Sequence, residues 1–137
     1  ERQRVETAQG AVGVFISQIL KNQPIEIWGD GSVQRDFLHV SDVADAFAKA
    51  LTYAGSETVF NISSGTGTSL NELLQLIDDV HGNVLDVAYS SGRNFDVPVS
   101  ILSNKLAQSE LGWTPQVSLR EGISRTVRWM KDELAKS

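Results

Sequence analysis

The chain has 137 residues, 41% hydrophobic and 21% charged, which gives one soluble-type domain a real core and leaves too little for two ordinary ones. A net charge of −5 argues against non-specific nucleic-acid binding, although a locally positive site can still take an anion. With no cysteine there is no disulfide framework and no thiolate metal site, and no stretch approaches the length of a membrane span.

The lack of cysteine fits a reducing compartment, and a cytoplasmic location is expected. The opening Glu1-Arg2-Gln3-Arg4 is no signal peptide and runs at once into an apolar helical pattern. That start reads as a cut inside a longer protein, with residues 1–137 forming one domain of it.

Residues 11–21 place Val12, Phe15, Ile16, Ile19 and Leu20 on one helical face, and Pro24 closes the helix. Ile25-Glu26-Ile27-Trp28 alternates as a short strand. Gly29-Asp30-Gly31 is hairpin chemistry, so residues 34–40 are expected to return as its partner strand. Ser41 is the expected N-cap of a helix burying Val43, Phe47, Ala50, Leu51 and Ala54. Residues 58–62 read as a strand, and residues 63–68 as a Gly- and Ser-rich loop. Ser69 and Glu72 then make a capping box for a helix carrying Leu73, Leu74, Ile77 and Val80.

Residues 84–89 are strand-like, and the loop 90–96 carries Arg93. A short helix over 104–111 stops at Gly112. Ser118 and Glu121 form a second capping box, before Leu119, Ile123, Val127, Met130 and Leu134 at spacings of three and four. The fold class is therefore α/β: a small mixed domain of short strands and helices.

Several chemistries are missing. No Gly-x-Gly-x-x-Gly run lies between a strand and a helix, and neither His39 nor His81 sits near an evident nucleophile. Asp78 and Asp79 point about 100° apart on a helix, so they read as a solvated face rather than an acid–base pair. His39 reads as a packed hairpin residue. Of the three tryptophans, Trp113 and Trp129 read as core or rim, and Trp28 is the one to move toward a site.

Arg35 and Arg93 could grip a diphosphate, since a guanidinium donates two parallel hydrogen bonds. From sequence logic alone, surface or ion-pair roles are the commoner fate of two arginines. The 63–68 loop could cradle phosphate at a helix N-terminus, but a flexible loop leading to a cap explains it better.

The segment 27–43, Ile-Trp-Gly-Asp-Gly-Ser-Val-Gln-Arg-Asp-Phe-Leu-His-Val-Ser-Asp-Val, resembles a signature of the extended short-chain dehydrogenase/reductases. Three further blocks follow in the family's order. Phe60-Asn61-Ile62 precedes the Gly-rich loop with Ser69, Glu72 and Leu73. Gly92-Arg93-Asn94-Phe95-Asp96-Val97-Pro98 matches the Arg-bearing loop. Leu111-Gly112-Trp113-Thr114-Pro115 leads into Leu119-Arg120-Glu121-Gly122-Ile123. Glu1-Arg2-Gln3 resembles the tail of a Tyr-Gly-Pro-x-Gln-type segment. Together these blocks span nearly the whole chain.

The resemblance implies the C-terminal, nucleotide-sugar-binding part of an NAD-dependent epimerase or dehydratase. In that family a Rossmann half holds NAD(P) and the Tyr-x-x-x-Lys pair, and no catalytic or cofactor-binding residue is expected in this chain. The ligand implied is a UDP-, dTDP- or GDP-linked sugar, whose sugar carbon transiently gives up a hydride to the cofactor. By motif position, Arg35 and Arg93 fall on diphosphate ligands, Ile27 and Trp28 on the strand that grips the base, Asn61 near the nucleotide and Asp96 near the ribose. A homodimer is implied for the full-length protein, with neither nucleic acid nor membrane as partner. Phe95 stands where many members have Gly, and Ser103 where many have Asp, which leaves the subfamily and the sugar open. The competing reading is a stand-alone nucleotide-binding or interaction module without catalysis.

Overall fold

The computed structural model describes residues 10–82, 86–92 and 96–136. Among the described residues, five helices, α1 (Ala11–Leu20), α2 (Val40–Ala50), α3 (Leu70–His81), α4 (Lys105–Leu111) and α5 (Leu119–Leu134), are interspersed with five short strands. The strands are β1 (Ile25–Trp28), β2 (Gln34–Asp36), β3 (Gly67–Ser69), β4 (Val87–Ser90) and β5 (Val99–Ser100). The mixed α/β class expected from the sequence is what forms.

The main core joins α1, α3 and α5 to one face of β1. Phe15, Ile16 and Ile19 meet Leu73, Leu74 and Ile77 and then Ile123, Val127 and Met130, with Ile25 and Ile27 beneath. Spacings of three and four put each helix's apolar side chains on a single stripe, and each full burial contributes about 1.5–3 kcal/mol. A smaller cluster of Ala46, Ala107 and Trp113, flanked by Leu38, Phe60, Ile62 and Leu111, joins α2 to α4.

Of the two expected capping boxes, one forms in full and the other in part. On α3 the box is complete: Ser69 Oγ accepts from the Glu72 amide at 3.1 Å, and the Glu72 carboxylate accepts from the Ser69 amide at 2.7 Å. On α5, Ser118 Oγ accepts from the Glu121 amide at 3.2 Å, while the Glu121 carboxylate pairs with Arg125 one turn on. Replacing Ser69 by Ala is expected to cost about 1 kcal/mol, read as a lower urea midpoint at unchanged slope.

The expected hairpin does not exist. β1 pairs in parallel with β4, whereas β2 lies in a separate sheet of order β3-β2-β5, antiparallel to β3 and parallel to β5. The carbonyls of the 29–31 turn explain the split. Asn71, in the first turn of α3, donates its side-chain amide to the Asp30 carbonyl at 2.9 Å and its backbone amide to the Gly31 carbonyl at 3.2 Å. Asp30 folds back onto Ser32, whose amide and hydroxyl lie 2.9 and 2.6 Å from its carboxylate. The turn is thus fastened to a helix rather than closed across a ladder.

Four further expectations change. β2 ends at Asp36, and His39, not Ser41, caps α2: its Nδ1 accepts from the Ser41 amide at 3.3 Å. The buried stripe of α2 is Asp42 and Ala46, so Phe47 and Leu51 are 72% and 88% exposed. Asp42 decides this rotation, because its carboxylate accepts from the Val117 amide at 3.1 Å and its carbonyl from Trp113 Nε1 at 2.9 Å. Residues 58–62 form no strand, and Val59 is 75% exposed. The segment packs through Phe60 and Ile62 without joining a ladder.

The fourth strand begins later than expected, at Val87, and residues 84 and 85 lie outside the described residues. Asp79 is exposed and pairs with Arg120 at 2.9 Å, as a solvated face should.

His81, in the last turn of α3, is held below its ordinary pKa by burial and then by the Lys131 charge, against a weaker opposing pull from Asp78. The folded state therefore binds fewer protons there than the unfolded chain just below pH 6.5, the ordinary histidine value. Stability from this site is complete above that pH and is lost as pH falls through the folded pKa. Thermal melts from pH 7.5 to 5.5 should show a decline that His81→Gln partly removes.

Candidate functional site

The end of β1 and the start of the 91–98 loop meet by backbone contact. Gly29 has φ +86°, a left-handed conformation that glycine adopts freely, and a methyl group at Gly92 would lie 3.3 Å from the Gly29 Cα. The Gly29 amide donates to the Ser90 carbonyl at 2.9 Å, extending the β1–β4 ladder into this contact. Side chains at both positions would push the loop away from the strand. Just before β5, the chain meets β2: the Gln34 amide donates to the Pro98 carbonyl at 2.8 Å.

Arg35 stands at that return. Its Nη1 donates to the Gln34 carbonyl at 2.8 Å and to the Val97 carbonyl at 2.7 Å, which holds the half-buried guanidinium between β2 and the loop. Its strand neighbours are Thr68 on β3 and Ser100 on β5. A guanidinium has five N–H donors, so two carbonyl bonds at Nη1 leave donors to offer elsewhere.

The other residues singled out from sequence fall as follows. Ile27 is fully buried in the main core, so only its backbone is open to a ligand. Trp28 follows on the opposite face of β1, 47% exposed, at the brink of the Gly29–Gly92 contact. Asp96 is half-buried immediately before Val97, the acceptor for Arg35. Asn61 is exposed between Phe60 and Ile62 of the smaller cluster. Arg93 lies outside the described residues. Among the described residues, the structure thus sets Arg35 beside Val97, next in sequence to Asp96, and leaves Trp28 next to the Gly29–Gly92 contact.

Sequence reasoning missed Asp36. Its Oδ1 accepts from the Ser64 amide at 2.8 Å and the Ser64 hydroxyl at 2.6 Å, and its Oδ2 from the Gly65 amide at 3.0 Å. Two successive amides, with Gly65 at φ +74°, form an anion-holding nest. The loop that could have cradled a phosphate is filled by the protein's own carboxylate. An acid directly after a candidate ligand, on a strand facing a Gly-rich loop, was the signal available.

An apolar cavity of about 460 Å³ lies elsewhere, lined by residues including Phe37, His39, Val117, Leu119, Ile123 and Thr126. Among the described residues, none of the candidate ligands singled out from sequence lines it, and no Lys or Arg does. His39 Nε2 is buried without a hydrogen-bond partner among the described residues. Also among the described residues, no group of three or more His, Asp or Glu could hold a metal, and no helix is long and apolar enough to cross a membrane.

The chain is similar to known proteins over nearly its whole length. The profile of the NAD dependent epimerase/dehydratase family matches residues 2–63. The crystal structure of a UDP-glucose 4-epimerase from Thermotoga maritima, solved with UDP-glucose, superposes with a TM-score of 0.91 at 37% identity, over 97% of this chain and 43% of that one. The chain belongs to the NAD-dependent epimerase/dehydratase family.

Other members are similar over nearly the same span. The UDP-glucose 4-epimerase of Thermus thermophilus, solved with NAD, superposes with a TM-score of 0.84 at 31% identity, over 95% of this chain and 42% of that one. The dTDP-4-dehydro-6-deoxyglucose reductase of Escherichia coli is 33% identical over 128 residues, 93% of this chain and 40% of the reductase. The chain spans less than half the length of each of these relatives.

Proposed function

We propose that this chain is the substrate-gripping part of an NAD(P)-dependent nucleotide-sugar epimerase, dehydratase or reductase. The observation that carries this reading is Arg35, held half-buried on β2 by the carbonyl of Val97, which directly follows Asp96. Arg35 and Arg93 are the diphosphate ligands, and the backbone at Ile27 and Trp28 holds the base. Asp96 faces the ribose and Asn61 approaches the nucleotide.

In this role the nucleoside diphosphate is a non-reacting handle. Charge-assisted bonds to two guanidinium groups fix it, and that binding energy orients the sugar for chemistry elsewhere. The chain's own residues do not fit NAD(P): there is no glycine fingerprint in the sequence. The cofactor and the acid–base pair are assigned to the part of the family fold that this chain does not span. Accordingly the chain alone is inactive, and the full-length protein works as a cytoplasmic homodimer.

The test is a panel of UDP-, dTDP- and GDP-hexoses offered to the full-length protein with NAD(P), with sugar products followed by NMR. Conversion within one nucleotide class supports the proposal. Binding without conversion points instead to a non-catalytic nucleotide-binding module. The proposal fails outright if the full-length sequence lacks both a glycine fingerprint and a Tyr-x-x-x-Lys pair.

A further inference from the structure

Asp36 makes more contacts across the chain than its exposure as a strand residue requires. Besides the Ser64 and Gly65 amides, its Oδ2 receives a long contact from the Leu102 amide at 3.5 Å. Ser63 strengthens the same junction, donating its hydroxyl to the Leu102 carbonyl at 3.0 Å. The buried Asn104 adds a third tie, donating to the Ser63 carbonyl at 2.8 Å. One carboxylate therefore clamps the 63–65 loop and the segment after β5 to the end of β2.

That segment matters to Arg35. β5 pairs with β2 through Gln34↔Val99 and Arg35↔Ser100, and Val97, which accepts from Arg35, lies two residues before it. With only two paired residues, β5 is too short to hold its own register, and a two-residue ladder is weak. The clamp at residue 102 fixes one end, while Gln34 to Pro98 and Arg35 to Val97 fix the other. Alternation along β2 puts the Asp36 side chain on the face opposite Arg35, so it can act on the guanidinium only through this segment.

We infer that Asp36 is a positioning residue for Arg35: its carboxylate fills the 64–65 nest and, by anchoring the chain beyond β5, holds the Val97 carbonyl that aims the guanidinium. This deepens the nucleotide-sugar reading by assigning the nest to the protein itself and the diphosphate to arginine. Filling the nest also removes a competing anion site next to the grip, since an empty pair of amides would attract phosphate.

The experiment follows the Arg35 side chain of this chain directly, by its Nε–Hε resonance in ¹⁵N spectra, with thermal melts alongside. In Asp36→Ala the Arg35 signal should collapse toward the averaged position of a free guanidinium, and the melting temperature should fall. Adding about 100 mM formate, a carboxylate small enough for the nest, should restore both, while equal chloride should not. Asp36→Asn is the second variant, since its shape is kept while the charge and one acceptor are lost. It should fold and show the same Arg35 averaging to a smaller degree. Asp79→Ala, which breaks a surface ion pair, should leave the Arg35 signal in place. An Arg35 signal unchanged in both Asp36 variants, or an averaged signal that formate does not move, overturns the inference. Neither readout uses a nucleotide, so its failure is separate from a failure to bind or convert nucleotide sugars.

Discussion

Replacing Trp113 by Ala is expected to destabilise the chain by about 3–5 kcal/mol, the range for removing a fully buried aromatic from a core. Trp113 has no exposed surface and is the largest member of the smaller cluster, packed with Ala46 and Ala107. Ala46 and Ala107 are too small to fill the space an indole leaves, so the substitution adds a cavity contribution to the lost burial. The substitution also strips the Asp42 carbonyl of its indole donor. A domain of this size has about 5–15 kcal/mol in all, so the variant should unfold at a much lower urea concentration. Trp113→Phe separates the two effects: it keeps most of the apolar volume and loses the indole hydrogen bond, at a net cost of about 0.5–1.5 kcal/mol, since the Asp42 carbonyl keeps its place in the α2 ladder. A wild-type urea midpoint for Trp113→Ala would show that the α2–α4 cluster lies outside the cooperative unit.

The second large effect concerns ligand. In the full-length protein, Arg35→Ala and Arg93→Ala should each weaken nucleotide-sugar binding by about 1.5–3 kcal/mol, the worth of a hydrogen bond to a charged group. That is roughly 10- to 150-fold in the dissociation constant. If both groups hold the same diphosphate, the double variant should lose less than the sum, because the first loss already frees the ligand to shift. Titration calorimetry with UDP alone tests the handle without the sugar. Normal affinity in both single variants would reject the site even with the family assignment intact. Losses that add fully would place the two arginines on separate groups of the ligand.

Helix positions were legible from local patterns because each depends on residues within one or two turns. The Ser69–Glu72 box, the stripe of Leu73, Leu74 and Ile77, and the stop at Gly112 involve neighbours three or four apart, which sequence spacing displays directly. The strands were less legible. Ile25–Trp28 was visible as a strand, but its partner β4 lies about 60 residues away, and nothing in alternation names a partner at that range. The Gly-Asp-Gly turn suggested a hairpin because its backbone chemistry is common to many turns. Asn71 made the difference by taking the turn's carbonyls for α3.

The site divides in the same way. Arg35 was legible through its motif, whereas Asp36 was passed over beside it, since a carboxylate's worth depends on which amides the fold presents to it. The inward face of α2 shows this best. Val43, Phe47 and Leu51 form a convincing apolar stripe, yet Asp42 turns the helix the other way to meet Val117 and Trp113. By itself the sequence determined the family, the mixed α/β class, the helices and the arginine on β2, all carried by contiguous motifs or short-range periodicity. Only the tertiary structure decided which strands pair, which face of α2 is buried and what fills the Gly-rich loop. Those outcomes rest on hydrogen bonds between segments tens of residues apart, whose geometry exists only once the chain has packed.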